Sequence, residues 1–321
     1  MATVCAFVLT RNRKALLVEC LRGLLAQTRP PERIVVLDNA STDGTAAHLR
    51  EAGLLDEPSL TFERSEVNTG GAGGYARGVE LALAQGTDWI WLMDDDAEPA
   101  PEALERLLAA PEATDPGVAV LANAVHGPDG EIDVMHRCRM GRFMQPLSVE
   151  EYRDGHPALT VVSFVGFMVR SSVVRAIGLP RADFFIGCDD VEYSLRARRE
   201  GRLHLVPESV ILHKFQLGGG ADTRRSRFWN RLLGTPYPST SWDGYWKTLY
   251  GIRNFFWIRN HYGQPSPLAH AGTVGAYVAK TLMFDERPLR RIPWIVRYAA
   301  KGRRGDLTGV TPEEWARIAA R

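Results

Sequence analysis

Hydrophobic residues in this chain fall into short β-rich runs, separated by stretches whose apolar positions recur every three or four residues. The first run, Val4 to Thr10, closes on polar Arg11, Asn12 and Arg13, and Ala15, Leu16, Cys20, Leu21, Leu24 and Leu25 then return at helical spacing. Ile34–Leu37 predicts a second strand and Ala46–Glu51 a second helix. Leu60–Phe62 predicts a third, weaker strand, followed by a glycine-rich loop over 68–74 and a helix through Ala84, and Trp89–Met93 predicts a fourth strand. Beyond Pro111, Val118–Ala122 and Val161–Val169 read as strands and residues 126–160 as an irregular excursion. Asp189 opens a helix with a weak apolar face, and Leu203–Pro207 and Val210–His213 read as two short strands. Strands alternating with helices predict an α/β fold of right-handed βαβ units, with a mostly parallel sheet whose ligands sit outside the carboxyl ends of the strands.

Every early strand ends in polar chemistry: Thr10, Arg11 and Asn12; Asp38 and Asn39; Asn68 with Gly70, Gly71, Gly73 and Gly74; and Asp94, Asp95 and Asp96. A buried strand that feeds three carboxylates into one loop is costly unless a cation waits there. Hard cations such as Mn²⁺ or Mg²⁺ take oxygen ligands and share them with substrate phosphates, so Asp94 and Asp96 are candidate ligands of one ion. The competing reading is a solvated acidic turn that caps a helix starting near Pro99. Residues 71–76 loosely fit a dinucleotide fingerprint, which would make the chain an NAD-dependent dehydrogenase. That fingerprint normally follows the first strand and needs a single acid downstream. A backbone passing close to a nucleotide, with Arg77 offering charge to a phosphate, explains the glycines better. Asp189, Asp190 and Glu192 form either a second acidic site or a helix cap, and His213, at a strand end, is either structural or a third metal ligand.

Length and composition change this picture little. At 321 residues, with 45% hydrophobic and 24% charged residues, the chain belongs to the soluble globular class. No apolar run approaches the roughly 18 to 20 residues of a spanning helix, and the start lacks a signal-peptide layout, so a cytoplasmic location is expected. Cys5, Cys20, Cys138 and Cys188 lack disulfide or metal-site spacing. The net charge of +1 conceals an asymmetry. Between Arg224 and Arg304 the only acids are Asp243, Asp285 and Glu286, against a long series of arginines and lysines.

Taken together, Thr10-Arg-Asn12, Asp38 to Asp43, Asn68 to Gly74, Met93 to Asp96 with Pro99, Asp189 to Arg196, Pro207 and His213 resemble the inverting, nucleotide-sugar-dependent glycosyltransferases of family 2, which have the A-type glycosyltransferase fold. Within that family the chain is similar to the galactofuranosyltransferase and rhamnosyltransferase branch. The resemblance implies that Thr10, Arg11 and Asp38 surround the pyrimidine and ribose, with Asn68 and the glycine segment beside the nucleotide. Asn12, Asn39, Arg77 and Asp95 are further candidates for binding the nucleotide sugar. The resemblance makes Asp94 and Asp96 the metal-binding pair, with Asp96 binding Mn²⁺ or Mg²⁺ directly and His213 completing the protein ligands. It makes Asp190 the catalytic base beside Asp189. The implied donor is a UDP- or dTDP-linked sugar, and the implied acceptor is a glycan or a lipid-linked glycan. Relatives often carry a tryptophan before the two acids, where this chain has Cys188. A protein that kept the fold and binds sugar nucleotides or glycans without turnover is the alternative.

Residues 1–217 are read as the catalytic domain and 218–321 as a helical, basic C-terminal region, with Gly218–Gly220 as a hinge or lid between them. Tyr250-Gly-Ile-Arg-Asn254 resembles the Tyr-x-x-Arg-Asn segment that follows the catalytic domain in the same family. From Arg287 to Lys301, the apolar positions Leu289, Ile292, Trp294, Ile295 and Tyr298 alternate with basic ones, a pattern suited to peripheral contact with an anionic membrane. No nucleic-acid motif accompanies the basic surface, so no nucleic-acid partner is expected. A homo-oligomer is left open.

Overall fold

The computed structural model describes residues 2–141, 144–214, 223–233, 240–263 and 265–320; Gly218–Gly220 lie outside them. The first half runs β1 (Val4–Thr10), α1 (Lys14–Leu25), β2 (Arg33–Asp38), α2 (Thr45–Glu51), β3 (Leu60–Arg64), α3 (Gly70–Leu83), β4 (Trp89–Asp94), β5 (Ala97–Pro99), α4 (Ala103–Ala109) and β6 (Val118–His126). It continues through β7 (Arg137–Met140), β8 (Met144–Pro146), β9 (Ala158–Leu159), β10 (Val161–Val162), β11 (Phe167–Arg170), α5 (Ser171–Ile177), α6 (Asp189–Ala197) and β12 (Arg202–His213). The helices α7 (Arg224–Leu233), α8 (Tyr245–Ile258), α9 (Pro267–Phe284), α10 (Pro288–Arg304) and α11 (Pro312–Ala319) follow. The chain forms two compact units, Met1–Ala182 with Asp189–Gln216, and Asp183–Cys188 with Leu217–Arg321.

In the first unit the main sheet has the order β3-β2-β1-β4-β11-β6-β12-β5, with β9 on β12. The pairs β3–β2, β2–β1 and β1–β4 are parallel, and β11 runs antiparallel between β4 and β6. All seven residues of β1 are buried, as are the first five of β4, which is why both read as unbroken apolar runs. Register then fixes the site. Thr10 pairs with Asp38, Asp38 with Arg64, and Leu9 with Asp94, so the polar strand ends form one row across the sheet edge.

Three local expectations need correction. The glycine segment is not a loop: helix α3 begins at Gly70, so Gly71, Gly73 and Gly74 are helical. The missing side chains of Gly74 and Gly78 bring α3 close to β1, because a Cβ on Gly74 would lie 2.5 Å from Leu9 and one on Gly78 only 1.8 Å from the Phe7 ring. Gly78→Ala is therefore expected to cost about 1 to 3 kcal/mol by overpacking, read as a lower urea midpoint with an unchanged slope. The two short strands after α6 are one, β12, bulged between Val206 and Val210 around Pro207, since proline cannot supply a ladder donor. Residues 126–160 hold β7 and β8, which join β10 in a small sheet of order β10-β7-β8; the run 161–169 is split between β10 and β11, and Arg137 of β7 is fully buried, donating to the carbonyls of Asn123 and Val165.

The second unit has its own core, built from Trp242, Tyr245, Leu249, Ile252, Phe256, Ile295, Tyr298, Ala299 and Trp315. This corrects the reading of α10. Ile295 and Tyr298 are buried in that core, and Arg291 is fully buried, donating to the carbonyls of Glu286 and Thr240 with its guanidinium 4.3 Å from the Tyr245 ring. The apolar stripe of α10 thus closes the helical unit and leaves Leu289 and Val296 outside. Among the described residues no helix is long and apolar enough to cross a membrane.

Candidate active site at the strand ends

The acidic triplet sits where β4 ends, and it is not a solvated turn: Asp95 and Asp96 are only 3% and 2% exposed. β5 folds back from it and pairs antiparallel with β12, which sets His213 opposite Ala97, while the Lys214 amide donates to the Asp96 carbonyl at 2.9 Å. His213 therefore arrives beside Asp96, with Nε2 3.2 Å from Oδ1. Asp94, Asp96 and His213 each present one ligand atom, and these atoms lie within 4.8 Å of one another. Asp96 Oδ1 is buried, with the His213 imidazole as its near neighbour. Two carboxylate oxygens and an imidazole nitrogen suit Mn²⁺, and Mg²⁺ less closely.

Electrostatics supports this reading. Burial, reinforced by the nearby charge of Asp96, holds Asp94 above the usual carboxylate range. Burial likewise pushes Asp95 up to about 7, against a 2.7 Å hydrogen bond from the Thr10 hydroxyl and the charge of Arg13. Burial also opposes ionisation of Asp96, but His213 and Arg13 outweigh it and hold Asp96 low. Arg13 Nη1 lies 3.3 Å from Asp95 and 2.5 Å from Asp96. The buried Tyr75 donates a 2.6 Å hydrogen bond to Asp94 Oδ1 and fixes that carboxylate. Sequence reasoning missed both residues, since Arg13 is one polar residue in a polar loop and Tyr75 one apolar position of α3. It also missed His136, whose ring packs edge-on to His213 at 5.0 Å.

The other strand ends build a polar wall beside the triplet. Asp38 is buried and accepts from the Ser41 amide at 2.8 Å, with Arg64 Nε 3.5 Å from its other oxygen. Asn12 adopts a left-handed backbone (φ 55°), receives the Thr42 amide on its side chain and donates its own amide to Ser41. Arg11 is exposed, and its amide lies 3.3 Å from Asp95. Asn39 ties the start of α3 to this wall, donating to the Gly70 carbonyl at 2.8 Å and accepting from the Thr69 amide; Asn68 accepts from the Gly70 amide. Arg77 departs from the row. It lies two turns along α3 on the exposed side, paired with Glu63 and Glu80 at 2.7 Å each.

Asp189 and Asp190 begin α6. Burial raises both above the ordinary carboxylate range, and the charge of Asp94 raises both further, so the second acidic pair lies within electrostatic reach of the first. Asp190 Oδ1 accepts the Val191 amide at 2.7 Å. Glu192 stands apart, buried in a forked ion pair with Arg196 at 2.9 to 3.0 Å.

The sheet is mixed, but its parallel strands β2, β1 and β4 bring a candidate cation-binding cluster and a polar wall to one carboxyl edge, where α/β sheets take their ligands, with buried Asp189 and half-buried Asp190 at the start of α6. The sequence profile described as glycosyl transferase family 2 matches residues 5–178, more than half of the chain, and the chain belongs to that family. It is 32% identical over 205 residues to the galactofuranosyltransferase GlfT1 of Mycolicibacterium smegmatis and 36% identical over 206 residues to that of Mycobacterium tuberculosis. Each match covers 62% of this chain and 66% of the relative, so the chain spans just under two-thirds of their length. The crystal structure of GalNAc-T7 with UDP, GalNAc and Mn²⁺ is similar over 68% of this chain and 45% of its own, at a TM-score of 0.57 and 17% identity, a likeness of fold. The fold is the A-type glycosyltransferase fold, which leaves no support for the dehydrogenase reading.

Proposed function

We propose that this chain is a metal-dependent, inverting glycosyltransferase that moves a galactofuranose-type sugar from a nucleoside diphosphate to a hydroxyl of a glycan or lipid-linked acceptor. A rhamnose-like donor is the nearest alternative. The observation that carries the reading is the grouping of Asp94, Asp96 and His213, whose ligand atoms lie within 4.8 Å of one another. The similarity to galactofuranosyltransferases supports the sugar, and the Mn²⁺ named with GalNAc-T7 supports the ion. A divalent ion held by Asp94, Asp96 and His213 would supply Lewis-acid stabilisation to the departing diphosphate. Tyr75 fixes Asp94 for that role, and Arg13 offers the diphosphate a second positive charge. Asp38, Asn12 and the Asn39–Asn68 pair bound the nucleoside side. Asp190 removes the acceptor proton during attack, and a single displacement inverts the anomeric centre without an enzyme-bound sugar. A role as a non-catalytic binding protein would not require both carboxylate sets, and here both are present. Contact with an anionic membrane face is assigned to α7, where Arg224, Arg227 and Arg231 accompany exposed Phe228, Leu232 and Leu233.

Inversion is tested by NMR of the first product, which carries the anomeric configuration opposite to the donor; retention overturns the single-displacement mechanism. The pH profile is a second test. Asp190 must be ionised to accept a proton and burial raises its pKa, so kcat falls as pH drops through a value above the ordinary carboxylate range. A rate unchanged down to pH about 4, the unperturbed range of a carboxylate, would remove Asp190 from the role.

A further inference from the structure

The residues that lead into Asp189 and Asp190 belong to the compact unit of the C-terminal helices, not to the sheet. This stretch, Asp183–Cys188, is held in an unusual backbone: Phe185, Gly187 and Cys188 all have positive φ, at 62°, 80° and 62°. Two of the three carry side chains, so the conformation persists only if its surroundings over-determine it. Helix α8 supplies those surroundings. The Asn254 side-chain amide donates to the carbonyls of Phe184 (3.1 Å), Ile186 (3.1 Å) and Gly187 (2.7 Å). Arg253 donates to the Phe184 carbonyl at 2.9 Å and also to Leu307, and its Nε is 2.9 Å from Asn254 Oδ1, which orients that amide. Both side chains are fully buried. Gly251 faces the loop directly: a Cβ on Gly187 would lie 3.5 Å from its Cα, and the Cys188 thiol is 3.7 Å from its carbonyl. Polar side chains buried at such cost, and satisfied largely by one loop's carbonyls, serve that loop's shape.

We propose that Asn254, oriented by Arg253, is a positioning residue for the catalytic base: it sets the backbone from Phe184 to Cys188, and one peptide bond later that backbone begins the turn carrying Asp189 and Asp190. The inference rests on the assignment of Asp190 as the base. It also gives the Tyr250-Gly-Ile-Arg-Asn254 segment a task in the reaction, with Gly251 allowing the close approach and Arg253 and Asn254 gripping the loop.

The test uses the full chain and the variants Asn254→Ala and Gly187→Ala, the second straining the loop without altering α8. Thermal shift with UDP and Mn²⁺, and KM for UDP-galactofuranose with an octyl galactofuranoside acceptor, are expected to stay within about twofold of wild type, while kcat falls tenfold or more. Unchanged kcat in a folded Asn254→Ala, or loss of nucleotide binding in step with kcat, overturns the proposal. If Asn254→Ala does not fold, Gly187→Ala decides in the same way. Amide hydrogen exchange supplies a readout independent of the donor: the peptide spanning 185–191 loses protection in both variants while that spanning 89–94 keeps it, and unchanged exchange over 185–191 also overturns the proposal. Asp190→Asn separates the two failures. Full activity in that variant refutes the base assignment itself, whereas an inactive Asp190→Asn beside a fully active Asn254→Ala refutes positioning alone.

Discussion

Asp190→Asn is expected to lower kcat by roughly 10² to 10⁴ while leaving binding of nucleotide and metal intact, because the amide keeps the shape of the side chain but cannot accept a proton. The variant is also expected to melt higher than wild type near neutral pH. A buried carboxyl whose folded-state pKa lies above its unfolded value binds more protons when folded, so stability falls as pH rises between the two values. Above that window the ionised Asp190 burdens the fold, and the neutral amide relieves it. A higher melting temperature with lost turnover is the trade expected where a site is built against stability. Initial rates and a melting curve at pH 7.5 check both halves. Equal loss of nucleotide binding would argue that Asp190 serves the donor instead.

Asp96→Ala is expected to remove the metal-assisted part of donor binding and turnover together. It deletes one of the three proposed ligands and the carboxylate that engages both Arg13 and His213. Lewis-acid stabilisation is worth several kcal/mol of transition-state charge, so about 4 kcal/mol lost means roughly a thousandfold in kcat/KM. Isothermal titration of UDP with and without Mn²⁺ should find the metal enhancement gone in this variant. An undiminished enhancement would move the ion elsewhere.

The row of chemistry along the sheet edge was legible because β1, β2 and β4 are buried strands, and a buried strand announces its end by the first polar residue it admits. Thr10, Asp38 and Asp94 are those residues, and parallel pairing aligns them. The place of His213 at a strand end left it either structural or a third ligand, and the resemblance favoured the ligand. What brings it to Asp96 is the pairing of three-residue β5 with β12, a long-range contact that leaves no periodic trace. Arg13 and Tyr75 were hidden for the opposite reason: their types suit a loop and a helix face, and only tertiary packing turns them toward carboxylates. The glycines read as a cradle because glycine is compatible with both a loop and a tightly packed helix, and here Leu9 and Phe7 make the second use decisive. On α10, an amphipathic pattern could not tell a lipid surface from the aromatic core that covers Ile295 and Tyr298.

The central claim is that the cluster at the end of β4 recruits a nucleoside diphosphate through a divalent ion. It is tested most directly by melting the full chain with UDP, dTDP or NAD, each with and without Mn²⁺, since a ligand that binds only the folded state raises the midpoint. The account predicts a rise that needs a pyrimidine nucleotide and Mn²⁺ together and is reversed by EDTA. No rise with either pair, or a rise with NAD that ignores the metal, would contradict it.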